Sequence, residues 1–283
     1  MPTEQNNRPL VSVLMGVLYR RESINLLERS IRSIQDQTYS NWELLICDDG
    51  STEAACQYLD ETAAHDKRIR LIRGYPKKDL ASKLNWCLTQ AKGSYIARMD
   101  DDDWSDPQRF IMQMDCLWKN PHVDFVGCVA NLERDGKPVG IRRLPARPEV
   151  KDFLFVQPFL HPTLIFRREV LEATGGYCEE PRCLGCEDYD LLLRLYEAGY
   201  RGENMQEPLF TYTLPTIGSK KRAMALRRNE VKTRYTRFRS LGLLPGALPY
   251  VVKPVIVGLV PNRLLEQLKQ SSTEASVGGR MGL

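Results

Sequence analysis

"YIARMDDDDW", residues 95–104, joins a short apolar segment to four consecutive aspartates. The first half, YIARM, has the composition of a short strand that is buried in a sheet. Adjacent carboxylates repel one another, so local folding alone gives no reason to place four of them in a row. The stretch therefore predicts a buried strand whose end carries a binding site.

Strand and helix patterns alternate around this stretch. Residues 11–18, VSVLMGVL, and 43–47, ELLIC, are continuous apolar runs typical of strands that are buried on both faces. Residues 24–37 repeat apolar side chains at helical spacing. The alternation predicts an α/β fold with an open, mostly parallel sheet flanked by helices. The other elements expected before residue 100 are helix 53–65, strand 69–73, helix 80–92 and strand 94–99.

The second half of the chain alternates less strictly. "RDGK", residues 134–137, predicts a hairpin turn between strands at 125–132 and 138–144. The remaining elements expected here are helix 107–119, strand 161–166, helix 187–199, strand 208–213 and helix 220–239. These elements place residues 9–215 in one domain, whose two halves lie at about 9–105 and about 106–215. We expect a helical extension at 216–270 and a disordered tail at 271–283.

The composition is that of an ordinary globular protein. The 283 residues are 42% hydrophobic and 27% charged, and the net charge of +4 is too small to indicate a nucleic-acid partner. The first ten residues lack the apolar core of a signal peptide, and we find no uninterrupted run of about 18 apolar residues that would suggest a spanning helix. The eight cysteines are therefore expected to be free thiols in the cytoplasm.

Two acidic clusters follow predicted strands. Asp48 and Asp49 follow strand 43–47, and Asp100 to Asp103 follow strand 94–99. Ligands of open α/β sheets bind at the carboxyl ends of the strands, where two such clusters can converge. Carboxylates suit Mg²⁺ or Mn²⁺, which usually keep waters and share phosphate oxygens with a ligand. The clusters thus predict a divalent cation with a diphosphate; the alternative is a solvated loop that caps the next helix, for which Asp106 is well placed.

A third acidic pair begins the predicted helix 187–199. Glu187 and Asp188 precede a run of apolar residues at helical spacing. One interpretation is helix capping and compensation of the helix dipole. The other is a general base, because a carboxylate near a metal-bound diphosphate can accept the proton of an attacking hydroxyl. These residues alone leave both interpretations open.

Four segments in order resemble glycosyltransferase family 2, the inverting enzymes of the GT-A fold. They are VSVLMGVLYR, NWELLICDDGST, AKGSYIARMDDDDW, and HPTLIFRREVLEATGGY followed by EDYDLLLRL. The resemblance covers roughly residues 9–215, and it implies a nucleotide-sugar half at about 9–105 and an acceptor half at about 106–215. It implies a metal-dependent enzyme that transfers a sugar from a nucleotide-sugar donor, expected to be UDP-linked, to a saccharide hydroxyl.

The resemblance also implies roles for the donor-side residues. Asp49, together with Asp48, would bind the uracil and ribose of the nucleotide sugar. Gly16 and Val17, at the end of the first strand, would line the same nucleotide site. Arg98 would lie near the diphosphate.

The metal and acceptor sides follow in the same way. Asp100 and Asp101 would contact the donor near the ribose and the water shell of the metal, and Asp102 would coordinate Mn²⁺ or Mg²⁺ directly. His161 would face the pyrophosphate or metal, or it would simply cap a strand. Asp188 would be the catalytic base, with Glu187 positioning the acceptor.

The chain departs from the family pattern at a few positions. Gly16 and Tyr19 replace the usual Pro and Asn, and Asp79 stands where a glycine is common. A Q-x-x-R-W signature, which accompanies processive synthases, is not evident after Asp188. The resemblance therefore implies the addition of a single sugar.

The C-terminal extension is basic and then apolar. Residues 220–239 contain nine Lys or Arg and one acid, Glu230, and residues 241–265 are apolar but interrupted by prolines and Lys253. This pattern favours docking on an anionic membrane surface over 220–265, with the alternative that the segment packs on its own domain. Docking at the cytoplasmic face of the inner membrane would suit a lipid-linked acceptor in surface polysaccharide assembly.

The segment CEEPRCLGC, residues 178–186, holds three cysteines. Structural zinc would need a fourth ligand, for which His161 is a candidate, and reduced thiols are the alternative that we favour.

Two other classes of protein remain as alternatives. A nucleotidyltransferase would show a glycine-rich, basic signature near the N-terminus, which MGVLYRRES matches poorly. A non-catalytic binding module would be expected to lose Asp102 or Asp188, and both are present.

Overall fold

The computed structural model describes residues 8–74, 79–216 and 223–260. The strands are β1 Val11–Val17, β2 Trp42–Asp48, β3 Ile69–Ile72, β4 Tyr95–Arg98, β5 Trp104–Ser105, β6 Phe125–Arg134, β7 Lys137–Arg142, β8 Ile165–Arg167 and β9 Gly202–Thr213. The α-helices are α1 Asn25–Gln35, α2 Glu53–His65, α3 Leu80–Gln90, α4 Arg109–Lys119, α5 Arg168–Ala173, α6 Glu187–Glu197, α7 Met224–Ser240 and α8 Leu248–Leu259.

The nine strands form a single sheet. Eight follow the order β3-β2-β1-β4-β8-β6-β9-β5, and β7 pairs with β6. The pairs β1–β2, β2–β3 and β1–β4 are parallel, as expected for the first half of the domain. In the second half β8 runs antiparallel to both β4 and β6, while β6 and β9 are parallel. The predicted α/β fold is confirmed, with a sheet that is parallel in its first half and mixed in its second.

Helices cover both faces of the sheet because the central strands are apolar on both sides. Along β1, Val13 and Met15 join the core under α1, whereas Leu14 joins the core under α3 and α6. This alternation follows from the two-residue period of a strand. Leu27 and Ile31 of α1 are fully buried, as their helical spacing predicts.

Several predicted boundaries agree closely with the structure. Helix 53–65 matches α2, and the hairpin prediction matches β6 and β7, with Asp135 and Gly136 at positive φ in the turn. The predicted strand 161–166 is different, because His161–Thr163 forms a 3-10 turn before β8. Pro162 favours this turn, since its ring fixes φ near a helical value. The sequence patterns did not predict β5, α5 or α8.

The C-terminal helices α7 and α8 pack against each other, and α7 packs on α6. Arg237 of α7 donates to the carboxylate of Asp190, which lies fully buried in α6. Among the described residues, every helix is too short or too polar to cross a membrane. The predicted tail at 271–283, and the part of the predicted extension at 261–270, lie outside the described residues.

Candidate active site

The ends of three parallel strands bring the acidic clusters to one edge of the sheet. β1 pairs with β2 so that Val17 lies opposite Asp48, and it pairs with β4 so that Leu14 lies opposite Arg98. The residues after β2 and β4 therefore flank the end of β1. This is the arrangement predicted from the carboxyl-end rule for α/β sheets.

Asp48 is occupied by neighbours within the protein. Its Oδ1 accepts hydrogen bonds from the Ser51 backbone at 3.2 Å and hydroxyl at 2.6 Å, and its Oδ2 accepts one from Arg73 at 3.2 Å. Burial acts to raise the pKa of Asp48, but the hydrogen bonds from Ser51 and Arg73 prevail and lower it. The carboxylate thus fixes the turn after β2, and its predicted contact with a nucleotide stays a prediction.

Asp49 has a different environment. Its buried carboxylate lies 3.1 Å from Lys83 Nζ, while that ammonium donates its hydrogen bond to the Val17 carbonyl, also at 3.1 Å. Neither carboxylate oxygen of Asp49 has a hydrogen-bond partner within the protein. Gly16 packs closely against α3, the helix that carries Lys83, because a Cβ at Gly16 would lie 2.9 Å from Leu80 Cδ1. Asp49 is therefore the better candidate of the pair for binding a ligand.

Arg98 contacts the first residue of the aspartate run, Asp100, from the protein core. Its side chain is almost fully buried, donates to the Leu14 carbonyl at 3.2 Å, and forms an ion pair with Asp100. The Ser30 hydroxyl donates to the Asp100 carbonyl at 2.7 Å. These contacts hold the backbone after β4 against β1 and α1.

The four aspartates differ in exposure. The side chains of Asp100 and Asp102 are 32% and 26% exposed, whereas Asp103 is fully buried and accepts a hydrogen bond from the Thr213 backbone at 2.7 Å. Burial raises the pKa of Asp101 to about 7, and the charges of Asp102 and Asp100 add to this effect. The expected capping role of Asp106 is wrong, because the N-cap of α4 is Gln108 and no side chain caps this helix; Asp106 instead accepts a hydrogen bond from the Gln108 backbone in the preceding turn.

This donor set fits a hard divalent cation. Asp100 and Asp102 present partly exposed oxygen ligands at the end of β4, where a bound cation would offset their negative charge. Mg²⁺ and Mn²⁺ need only one or two carboxylates when waters and phosphate oxygens complete the shell. Asp102 Oδ2 lies 2.6 Å from Arg21 Nη2, so in this structure the guanidinium of Arg21 pairs with this carboxylate.

Asp188 lies in the first turn of α6, where the helix N-terminus favours a carboxylate. Its Oδ1 accepts a hydrogen bond from the Tyr189 backbone at 2.8 Å, and its Oδ2 accepts one from Gln157 at 3.1 Å. Two residues later, Asp190 anchors the helix through Arg194 and Arg237, each at 2.8 Å. Glu187 precedes Asp188 and is also partly exposed.

His161 is buried and contacts Tyr177, with 2.9 Å between its Nε2 and the tyrosine hydroxyl. Burial lowers the pKa of His161 well below its ordinary value, and the charge of Arg98 lowers it further. The imidazole is therefore neutral at physiological pH. Its predicted role at the metal stays a prediction.

The pKa values of two tyrosines depend on carboxylates from both acidic clusters, Asp100 after β4 and Asp188 in α6. Burial raises the pKa of Tyr212, and the charges of Asp100 and Asp188 raise it further. The same two charges raise the pKa of Tyr177, whose burial is again the largest cause. Both carboxylates therefore contribute to the pKa of both tyrosines, of which Tyr177 is buried and Tyr212 is partly buried.

The cysteine prediction needs correction. Cys178 and Cys183 form a disulfide instead of two free thiols, because the 3-10 turn Pro181–Cys183 returns the chain to a Cα–Cα distance of 6.1 Å. The Cys186 thiol contacts the Thr233 hydroxyl at 3.4 Å. Asp190 is also close to the disulfide, but its arginine partners disfavour a metal ion there. His161 contacts Tyr177 instead of completing a zinc site.

The fold, with acidic residues after β2 and β4 and at the start of α6, is that of a sugar-transferring enzyme. Residues 15–175 match the family model "Glycosyl transferase family 2". The chain belongs to this family and is a glycosyltransferase.

Named relatives extend over most of the chain. EpsE of Bacillus subtilis, which bears the name of a glycosyltransferase, is 36% identical over 263 residues, or 93% of this chain and 94% of EpsE. The O-antigen biosynthesis glycosyltransferase WbnJ of Escherichia coli is 32% identical and covers 76% of this chain and 84% of its own. The amylovoran biosynthesis glycosyltransferase AmsE of Erwinia amylovora is 25% identical over 92% of this chain and 97% of its own.

Solved structures share the fold at low sequence identity. The mannosyltransferase PcManGT from Pyrobaculum calidifontis, in complex with GDP-Man and Mn²⁺, gives a TM-score of 0.61 at 19% identity and covers 94% of this chain and 81% of its own. TarS of S. aureus in complex with UDP-GlcNAc gives 0.65 at 16% identity, with 86% of this chain and 72% of TarS covered. These similarities establish the GT-A-like fold.

Three polar side chains of the site, those of Lys83, Arg21 and Gln157, were not predicted from the sequence. Lys83 could have been noticed, because it lies one helical turn before Cys87 within the buried face of α3. Arg21 and Gln157 gave no such signal. Their partners, Asp102 and Asp188, are distant in sequence and become neighbours only in the folded chain.

Proposed function

We propose that this enzyme is a metal-dependent inverting glycosyltransferase that moves one sugar from a UDP-linked donor to a hydroxyl of a saccharide acceptor. The observation that carries the proposal is the meeting of Asp49 and the Asp100–Asp103 run at the carboxyl ends of β2 and β4, on either side of the end of β1. Carboxylates that could hold a cation beside a diphosphate, together with the base Asp188 in the first turn of α6, would suit an in-line displacement.

On the donor side, the chain supplies fixed charges. Asp49, which pairs with Lys83, would accept hydrogen bonds from the uracil and ribose, since neither of its oxygens has a hydrogen-bond partner in the protein. Arg98 holds Asp100 in place and adds positive charge below the diphosphate. Asp102, with Asp100, would hold the divalent cation, which when bound offsets the charge that develops on the departing diphosphate.

On the acceptor side, Asp188 would accept the proton of the attacking hydroxyl. Gln157 and the Tyr189 backbone fix both of its oxygens, so the carboxylate is oriented before the acceptor arrives. The acceptor oxygen then bonds to the anomeric carbon as the bond to the nucleotide diphosphate breaks. A single displacement of this kind inverts the anomeric configuration.

The names of relatives support a place in surface polysaccharide assembly. WbnJ is named for O-antigen and AmsE for amylovoran biosynthesis. We therefore propose a growing saccharide as the acceptor, carried on a lipid at the cytoplasmic face of the membrane.

Calorimetric titration of UDP with and without Mn²⁺ tests the donor site. Asp102→Asn should remove most of the metal-dependent gain in UDP affinity, because an amide oxygen is a poor substitute for a carboxylate ligand. Asp106→Asn, in the same loop but engaged with Gln108, is the matched control and should keep that gain. Unchanged metal dependence in Asp102→Asn would remove this residue from the site, and tighter binding of GDP than of UDP would refute the proposed donor.

The C-terminal helices support docking on an anionic membrane. Leu248, Val252, Ile256 and Leu259 are 45–73% exposed and lie on one side of α8. The opposite side, with Val251 and Pro254, is buried. On α7 the exposed bases are Arg228, Lys232 and Arg239. An apolar helix face beside exposed bases is suited to the interface of anionic lipids.

The structure changes which bases are available to a membrane. Arg234 is 4% exposed, pairs with Glu230, and donates to the Leu154 carbonyl at 2.8 Å. Arg227 donates to the Pro254 carbonyl at 3.1 Å, which joins α7 to α8. Arg227 thus joins the two helices of the extension and Arg234 joins α7 to the domain, so neither is a candidate for lipid contact.

Sedimentation with phosphatidylglycerol vesicles tests this docking. The double variant Val252→Ser/Ile256→Ser should remain in the supernatant, and Arg228→Glu/Lys232→Glu should bind only weakly and lose salt sensitivity. Arg142→Glu/Arg143→Glu, which makes the same charge change on exposed residues of the hairpin region, should sediment like the wild type. Recovery of the wild type in the supernatant at low salt would show that the apolar face is not a membrane surface, and a dimer in light scattering would assign it to a second copy.

A further inference from the structure

Arg21 lies at the carboxylate that is proposed to hold the cation. It belongs to the loop between β1 and α1, and its Nη2 is 2.6 Å from Asp102 Oδ2. The side chain of Arg21 is 51% exposed, so only its tip is engaged. The contact joins residues that are far apart in sequence, and it partly covers the carboxylate of Asp102.

The partners of the neighbouring aspartates are of a different kind. Asp100 pairs with Arg98, whose side chain is 1% exposed, and Asp103 accepts from the backbone of Thr213. Both partners are fixed by the protein core. Arg21 is a half-exposed side chain on a loop, and it can leave Asp102 without unfolding any element.

There is also space for Arg21 to move. A cavity of about 540 Å³ lies beside the contact and is lined by both Arg21 and Asp102. A guanidinium and a divalent cation cannot share Asp102 Oδ2 favourably, because their charges repel at such short distance. A cation that binds this oxygen would therefore displace Arg21.

We propose that Arg21 is a stand-in cation, which occupies Asp102 in the free enzyme and competes with the divalent ion for this carboxylate. The inference rests on the proposed metal dependence of the enzyme. Its function is to balance the crowded carboxylates while the cleft is empty. The competition weakens the binding of a free ion and so favours entry of the ion together with the donor diphosphate.

Mn²⁺ titration of the nucleotide-free protein, followed by the electron paramagnetic resonance signal of free Mn²⁺, tests the competition without any turnover. Arg21→Gln should bind Mn²⁺ about three- to fivefold more tightly than the wild type, the range that a half-exposed ion pair supports. Arg21→Lys keeps the charge and should restore binding toward the wild-type value. Arg20→Gln removes the same charge from the next position, which is exposed, and should match the wild type.

The controls separate this inference from the proposed function. Equal Mn²⁺ affinity for Arg21→Gln and Arg20→Gln, or weaker binding by Arg21→Gln, overturns the competition. A parallel titration in the presence of UDP measures the metal site itself. If the wild type and all variants fail to bind Mn²⁺ even with UDP, the proposed metal dependence is wrong and the inference is wrong with it. If they bind Mn²⁺ with UDP but the two Gln variants do not differ, only the inference is wrong.

Discussion

Lys83→Met should destabilise the protein strongly, although it replaces a charged side chain by an apolar one of similar length. Lys83 and Asp49 have side chains that are 5% and 2% exposed, and their charged atoms lie 3.1 Å apart. Lys83 also donates to the Val17 carbonyl at the end of β1. The substitution leaves the Asp49 carboxylate buried without its counter-charge.

The magnitude follows from this geometry. Two unit charges at this distance attract by about 5 kcal/mol at an effective dielectric constant of about 20. The cost of removing both charges from water offsets most of that attraction, so the pair as a whole contributes little. Loss of one partner, however, leaves the cost of the other uncompensated, and we expect Lys83→Met to lose about 3–5 kcal/mol of the free energy of unfolding.

Urea unfolding followed by circular dichroism measures this loss. The double variant Lys83→Met/Asp49→Asn should recover most of it, because neither charge then remains buried. Lys92→Met removes a charge from an exposed position before β4 and should change the free energy of unfolding by less than about 0.5 kcal/mol. A loss below about 1 kcal/mol in Lys83→Met, or no recovery in the double variant, would refute the idea that the pair holds Asp49 in place.

Two further predictions concern the catalytic side and the dependence on pH. Asp188→Asn should lower turnover about 10²- to 10⁴-fold, as expected for a general base, while donor affinity measured by calorimetry stays near the wild-type value. Glu187→Gln should be milder, and the opposite ranking of the two variants would exchange their roles. Folded Asp101 has a pKa of about 7 and the unfolded chain releases that proton near about 3.9, so the wild type should lose stability as the pH rises between these values. Asp101→Asn should escape this loss, and its advantage in urea unfolding without metal should grow by about 2–3 kcal/mol from about pH 5 to about pH 8; an advantage independent of pH would contradict the raised pKa.

Local patterns were sufficient for much of the fold and for the location of the site. The apolar run 11–18 becomes β1, and helix 53–65 becomes α2 with the same bounds. Side-chain periodicity reflects the geometry of a single strand or helix, so these elements can be recognised before any partner is known. The position of acidic residues after two buried strands likewise predicted the shared edge, because parallel strands end on the same side.

The mixed half of the sheet could not be derived in this way. β8 lies between β4 and β6, and β9 pairs with both β6 and β5. Such pairings join segments that are far apart in the chain, and strand patterns carry no information about their neighbours. The same applies to α8, whose prolines hid a helix that tertiary packing stabilises against α7.

The sequence by itself determined the family, the α/β fold and the set of acidic residues from which a site is built. The tertiary structure alone decided how each of them is engaged: Asp48 accepts hydrogen bonds from Ser51 and Arg73, whereas Asp49 pairs with Lys83 and has no hydrogen-bond partner in the protein. It also decided that the basic helix turns Arg234 inward toward the Leu154 carbonyl. The physical reason is that the availability of a charged side chain depends on burial and on counter-charges from distant segments, which exist only once the chain has folded.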